Sequence, residues 1–267
     1  MTAVETQDVW ITTDGGRLFA KRWNAGSSTA GCDPPIVLFH DSLGCVDLWR
    51  DFPDKLCVAA RRDVIAYDRL GFGKSAARSG ALDADFVVAE ATGDFARVRE
   101  HFEIDSFLPF GHSVGGGMAV ACAAHYADAC RALITESAQA FVEDRTIAGI
   151  LDAKRLFQQA GQIERLRKHH GDKAEWVLAA WIDTWLSPEF ASWNLDDPLR
   201  RVRCPTLALH GDSDEFGSPR HAERIGNLIG AEATVLILKE CGHVPHREKT
   251  DAVLAAITEW ITSQVRA

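Results

Sequence analysis

Gly111-His112-Ser113-Val114-Gly115-Gly116 is the stretch that most restricts what this chain can fold into. It sets one serine among glycines, directly after the apolar run Phe107 to Phe110 and directly before the helix-forming run Met118 to Ala124. A strand that reverses into a helix over so few residues leaves no room for side chains beside the turn, so small residues must flank its tip. Ser113 is that tip. The bend drives its hydroxyl outward, and the start of the following helix brings unpaired backbone N–H groups close to it. A nucleophile needs this setting, although glycine and serine also gather in ordinary surface turns.

Order along the chain adds to the signal. The loop His210 to Glu215 follows the β-like run Thr206 to Leu209, and Cys241-Gly242-His243 follows Thr234 to Leu238. Serine, then acid, then histidine, each at the end of a β-like run, is a known order for nucleophilic hydrolysis. A serine hydroxyl is a weak nucleophile at neutral pH, so a base must take its proton as it attacks, and His243 is the candidate. Asp212 and Asp214 compete to orient that imidazole, with Glu136 as a further acid.

With these motifs the chain resembles the α/β-hydrolase family over nearly its whole length. Two more segments carry the resemblance. Pro35 to Phe39, ended by His40-Asp41-Ser42-Leu43-Gly44, is similar to the family's strand and H-G-x-x-G loop, with Asp41 where glycine is usual. Asp68-Arg69-Leu70-Gly71-Phe72-Gly73-Lys74-Ser75 is similar to the D-x-x-G-x-G-x-S turn, whose role there is structural.

The resemblance implies an α/β fold: a mostly parallel, eight-stranded sheet with helices on both faces and a helical cap insertion. Residues 1–140 and 199–267 would form the core and 141–198 the cap, which holds half of the eight tryptophans. It implies Ser113 as nucleophile, His243 as base and, through G-x-x-D, Asp214 as acid. Asp212 then shapes its loop. The backbone N–H groups of Ser42 and Val114 would form the oxyanion hole, with Leu43 as fallback. His40, Leu43, His112, Glu136, Phe141, Trp181 and Trp185 are the expected substrate-side residues; the two tryptophans could instead glue the cap down. Neither a cofactor nor a metal is expected.

Within the family, Ala138 to Val142, the long cap and Arg203 to Leu207 are similar to the biphenyl-hydrolase-like and valacyclovir-hydrolase-like carboxylesterases. Relatives that prefer amino-acid esters carry aspartate after the nucleophile, where this chain has Val114. A serine nucleophile also disfavours dehalogenase and epoxide hydrolase chemistry. The expected reaction is cleavage of carboxylic esters of small apolar or aromatic substrates through an acyl-enzyme. A lactonase, thioesterase or carbon-carbon bond hydrolase, or a ligand-binding receptor with a retained triad, are the alternatives.

Composition agrees. At 267 residues and 46% hydrophobic, the chain can bury one large core. A net charge of −9 with no basic run argues against nucleic acid or an anionic membrane as partner, and for a small-molecule substrate; a homodimer stays open. Seven scattered cysteines without a C-x-x-C pair argue against a disulfide framework or zinc site and for a reducing compartment. The start of the sequence lacks a signal-like stretch, and no segment reaches membrane-spanning length, so cytoplasmic is the expectation.

Other readings concern details. Asp83 to Glu103 and Trp49 to Arg62 each read as one helix, 25–35 as a solvated loop, and His169 and His170 as solvated. His246 reads as a supporting or surface residue. Gly71 to Ser75 only mimics a nucleotide-binding loop, since Asp68 stands where its first glycine belongs.

Overall fold

The computed structural model describes residues 4–26, 33–230 and 232–264. Cys32 and most of the expected loop 25–35 lie outside them. Asp14 and Gly15 form the tight turn between β1 (Glu5–Thr13) and β2 (Gly16–Asn24), which pair antiparallel. Then come β3 (Ile36–Phe39), β4 (Val64–Tyr67), β5 (Leu108–His112), β6 (Leu133–Glu136), β7 (Thr206–Gly211) and β8 (Ala233–Leu238). They form one eight-stranded sheet in the order β1-β2-β4-β3-β5-β6-β7-β8, with β2 antiparallel to both neighbours and the rest parallel.

The central strands are continuous apolar runs because both faces are covered. Successive side chains alternate, so Val37, Phe39, Ile65 and Tyr67 enter one core while Ile36, Leu38, Val64 and Ala66 enter the other. The helices are α1 (Phe52–Ala60), α2 (Phe86–Ala89), α3 (Asp94–His101), α4 (Val114–His125), α5 (Asp144–Phe157), α6 (Gln162–His170), α7 (Ala174–Trp185), α8 (Asp196–Leu199), α9 (Arg220–Ile229), α10 (Pro245–Glu248) and α11 (Thr250–Gln264).

Two expected helices are broken. Asp83 to Glu103 splits into α2 and α3 because Glu90 turns into the core, where it accepts the Tyr67 hydroxyl at 2.5 Å, and Gly93 restarts the chain as the cap of α3. Trp49 to Arg62 splits into a 3-10 turn, Val46–Trp49, and α1, which carries Pro53 in its first turn. Between β6 and β7 the regular elements are α5 to α8 and two 3-10 turns, and an isolated bridge between Phe141 and Asn194 joins the two ends of that segment.

The six described cysteines are buried and free, but Cys130 and Cys204, 74 residues apart in sequence, bring their sulfurs to 3.5 Å. Among the described residues no helix is long and apolar enough to cross a membrane.

Candidate active site

Ser113 sits between β5 and α4 with φ 57° and ψ −126°, a conformation a side-chain-bearing residue adopts only at a cost of about 1–3 kcal/mol. Close backbone approach enforces it. A Cβ on Gly111 would lie 2.1 Å from the Gly115 carbonyl oxygen, and one on Gly115 would lie 2.2 Å from that of Phe39. The bend is tied to β6 by the Ser113 N–H, which donates to the Glu136 carbonyl at 2.9 Å.

The turn points the Ser113 side chain into a cavity of roughly 120 Å³. Ser42 and His243 share that cavity, and Thr146, Ile150, Trp181, Trp185 and Phe216 supply much of its wall. Cavities of about this size hold one small ring-sized molecule. The Ser113 hydroxyl donates to Gln139 Oε1 at 3.2 Å, so its resting hydrogen bond goes to the amide rather than to the His243 ring.

β7 places Asp214, and the loop after β8 places His243. Nδ1 of His243 donates to both Asp214 oxygens, at 2.8 and 2.9 Å. Oδ1 of Asp214 also accepts from the N–H groups of Phe216 and Gly217. Burial works to raise the Asp214 carboxyl, but the hydrogen bond and charge of His243, then His210 and the Phe216 N–H, outweigh it and hold it below the usual range. The loops can meet because Gly211 lacks a Cβ: one there would lie 2.2 Å from the Cys241 carbonyl oxygen. Glu248 grips the histidine loop from below by accepting from Gly242 N and Val244 N. Asp212 faces the surface instead, accepting from the Ser213 hydroxyl and lying 3.7 Å from Lys239 Nζ.

The departure at Asp41 has a definite use. Its Oδ1 accepts from Leu43 N at 2.8 Å and its carbonyl from Gly44 N at 3.2 Å, so two of the loop's N–H groups are consumed. Among the described residues the Ser42 N–H and the Val114 N–H, the first of α4, keep no acceptor. The fallback donor, Leu43 N, is therefore spoken for.

Beneath the serine lies a buried polar layer. His112 donates from Nε2 to the His243 carbonyl at 2.8 Å, and its Nδ1 lies 3.5 Å from Asp41 Oδ2. Burial pushes the His112 imidazole down, yet Asp41, Glu136 and the His243 carbonyl together raise it. Burial likewise opposes ionisation of Asp41, but His112, His40 and the Leu43 N–H hold it far below the carboxylate range. Glu136 accepts from His246 Nδ1 at 2.5 Å, and its other oxygen has no partner. Among the described residues His112, Glu136 and His246 form the one group of metal-type donors close enough to share an ion. Both nitrogens of His112 are already committed, which leaves too few donors for a zinc-type shell.

Of the expected substrate-side residues, Leu43, Trp181 and Trp185 line the cavity. Trp185 also packs on Phe190, with ring centroids 5.1 Å apart, so it lines and glues at once. The other four lie elsewhere. His40 accepts from Arg69 N and Nε inside the fold. His112 and Glu136 point down from the strand ends into the buried layer, and Phe141 packs on His221 at 4.4 Å. His246 is buried between Trp49 and Phe52. His170 corrects the solvated reading: it is 1% exposed and bridges Gly73 and Leu43. Gln139, Phe216, Glu248 and His170 had no sequence signal of their own. Only Thr146 and Ile150, four apart on α5, share a helix face that periodicity could suggest.

A parallel sheet with a strained serine at one strand end, and a histidine-carboxylate pair at two others, defines an α/β protein of hydrolase type. A family model described as alpha/beta hydrolase fold matches residues 34–160. Proline iminopeptidase from Lactobacillus helveticus is 24% identical, over 85% of this chain and 90% of that protein. A thermophilic esterase from Thermogutta terrifontis superposes with a TM-score of 0.72 at 22% identity, covering 97% of this chain and all of the other. The enol-lactonase from Burkholderia xenovorans LB400 gives 0.73 at 20% identity, with 95% and 100% coverage. The chain has the α/β-hydrolase fold.

Proposed function

We propose that this protein is a serine hydrolase that cleaves carboxylic esters of small apolar or aromatic substrates through an acyl-enzyme. The observation that carries the reading is the shared cavity of Ser113 and His243, with His243 held by Asp214 and the Ser42 and Val114 N–H groups left without acceptors. Ser113 Oγ attacks the ester carbonyl as His243 takes its proton, and the two N–H groups receive the oxyanion. His243 then protonates the departing alcohol, and water repeats the path to release the acid. Before attack the hydroxyl must leave Gln139 and turn to the imidazole, a tightening common when substrate binds.

Asp214 is the acid in this scheme because Glu136, the rival, is bonded to His246 rather than to His243. The segment 141–198 acts as the cap, since α5 and α7 wall the cavity. The small apolar space favours short acyl groups. The named relatives include a peptidase, an esterase and a lactonase, and the same chemistry serves amides, esters and lactones. Labelling by a fluorophosphonate, followed by a panel of p-nitrophenyl esters, thioesters, lactones and prolyl amides, tests the reading. Ser113→Ala should abolish labelling and lower kcat by about 10⁴-fold or more. Labelling that survives the substitution would refute it, and fastest turnover of a lactone or amide would move the substrate class.

A further inference from the structure

The wall of the cavity beside Ser113 is largely indole, phenyl and aliphatic, and a side-chain amide in such a wall is expensive unless both its ends are bonded. Gln139 is such an amide. It is 4% exposed and lines the cavity. Its Oε1 accepts the Ser113 hydroxyl at 3.2 Å, while Nε2, which carries two N–H donors, has no acceptor among the described residues. Neighbouring contacts fix its backbone: Ala140 N donates to His221 Nδ1 at 3.1 Å, and the Ala140 carbonyl accepts from Leu195 N at 2.9 Å. Ala138 is packed so tightly on α4 that a Cβ on Gly116 would lie 2.4 Å from its methyl carbon.

Three other polar side chains of the cavity are committed. Thr146 Oγ1 donates to the Phe216 carbonyl at 2.7 Å, and His243 Nδ1 serves Asp214. Asp41 offers only a carboxylate, already engaged by Leu43 N and facing His112. A substrate that enters this space meets the Ser42 hydroxyl, the Trp181 and Trp185 indole N–H groups and Gln139 Nε2 as donors without an acceptor among the described residues, and one negative charge; of these donors only Gln139 Nε2 sits on a side chain bonded to the Ser113 hydroxyl itself.

We propose that Gln139 sets the acyl specificity of the site by donating from Nε2 to a neutral oxygen one or two bonds beyond the scissile carbonyl. The preferred substrates are then esters of short alkoxy, hydroxy or keto acids, ahead of hydrocarbon acids of equal length. The ionised Asp41 carboxylate disfavours acids that carry a second negative charge. The proposal rests on the serine-esterase reading and deepens it. Gln139 makes no covalent bond; when Ser113 gives its proton to His243, the amide loses that hydrogen bond and keeps its contact to the acyl oxygen.

The test is kcat/KM for p-nitrophenyl methoxyacetate and p-nitrophenyl butyrate, which share a leaving group and a heavy-atom count. Comparing their ratio between wild type and variant cancels the intrinsic reactivity of the two esters. Gln139→Met, near in shape but without a donor, should lower the methoxyacetate-to-butyrate ratio about tenfold. Gln139→Leu should do the same if the longer thioether chain disturbs folding. An unchanged ratio in an active variant overturns the role of Gln139 and leaves the esterase reading standing. Failure of wild type to cleave either ester, together with no fluorophosphonate on Ser113, overturns both.

Discussion

His170 donates from Nε2 to the Leu43 carbonyl at 3.0 Å while its Nδ1 accepts from the Gly73 N–H at 2.8 Å. One ring thus ties the end of α6 to the loop that presents Ser42. The Gly73 bond needs the lone pair on Nδ1 and so the neutral imidazole, whereas the Leu43 bond survives protonation. Burial pushes its pKa down to about 4, helped by His169 and Lys173 and opposed by the Leu43 carbonyl and Asp41. In the unfolded chain the ring titrates near ~6.5. Between those values the unfolded state takes up a proton that the folded state refuses, so stability falls as pH drops from ~6.5 towards 4, by roughly 2–3 kcal/mol at most. His221, also lowered to about 4 by burial, adds to the same window. Urea denaturation at pH 7 and pH 5 should show a smaller acid loss in His170→Gln than in wild type. Equal losses would show that the ring carries no such linkage.

Asp41 and His112 predict a second outcome. Asp41→Asn retains an oxygen for the Leu43 N–H but removes the charge that balances the His112 ring. Because Asp41 is partly exposed, the expected loss is about 1–3 kcal/mol rather than the larger penalty of a fully buried pair. Asp152→Asn on exposed α5 should stay within about 0.5 kcal/mol. Chemical denaturation of the three proteins measures both, and equal stabilities would show that the pair is not compensating charge.

Asp214→Asn leaves acceptors for Phe216 N and Gly217 N but cannot hold the same imidazole tautomer, so kcat should fall by about 10⁴-fold with the fold intact. Asp212→Asn, at the surface, should change kcat by less than about threefold. Steady-state kinetics with circular dichroism decides the matter, and a reversed order would reassign the acid.

Gly115→Ala should fail to give folded protein, because its methyl would lie 2.2 Å from one carbonyl oxygen and 2.6 Å from another, both backbone. Gly161→Ala, where nothing lies within 4 Å but φ is 84°, should fold with a loss of about 1–2 kcal/mol. Soluble yield and melting temperature report the difference.

The elbow at Ser113, the strand and helix alternation and the loop positions of Asp214 and His243 were legible because each rests on local chemistry. Glycine is demanded by a tight turn, an unbroken apolar run by a strand covered on both faces, and a lone histidine after a strand stands out by position. The helix breaks at Glu90 and Gly93 were not legible, since Glu90 leaves the helical pattern to meet Tyr67, 23 residues earlier.

The sequence by itself determined the backbone plan and the order of the reactive groups, for those depend on neighbours within a few positions. Only the tertiary structure decided what His112, His170, Glu136 and Gln139 do. His112 meets a carbonyl 131 residues away and His170 an amide 97 away, and no spacing rule reaches that far. A polar side chain takes its role from whichever partner lies within hydrogen-bonding distance once water is excluded, and packing alone chooses that partner.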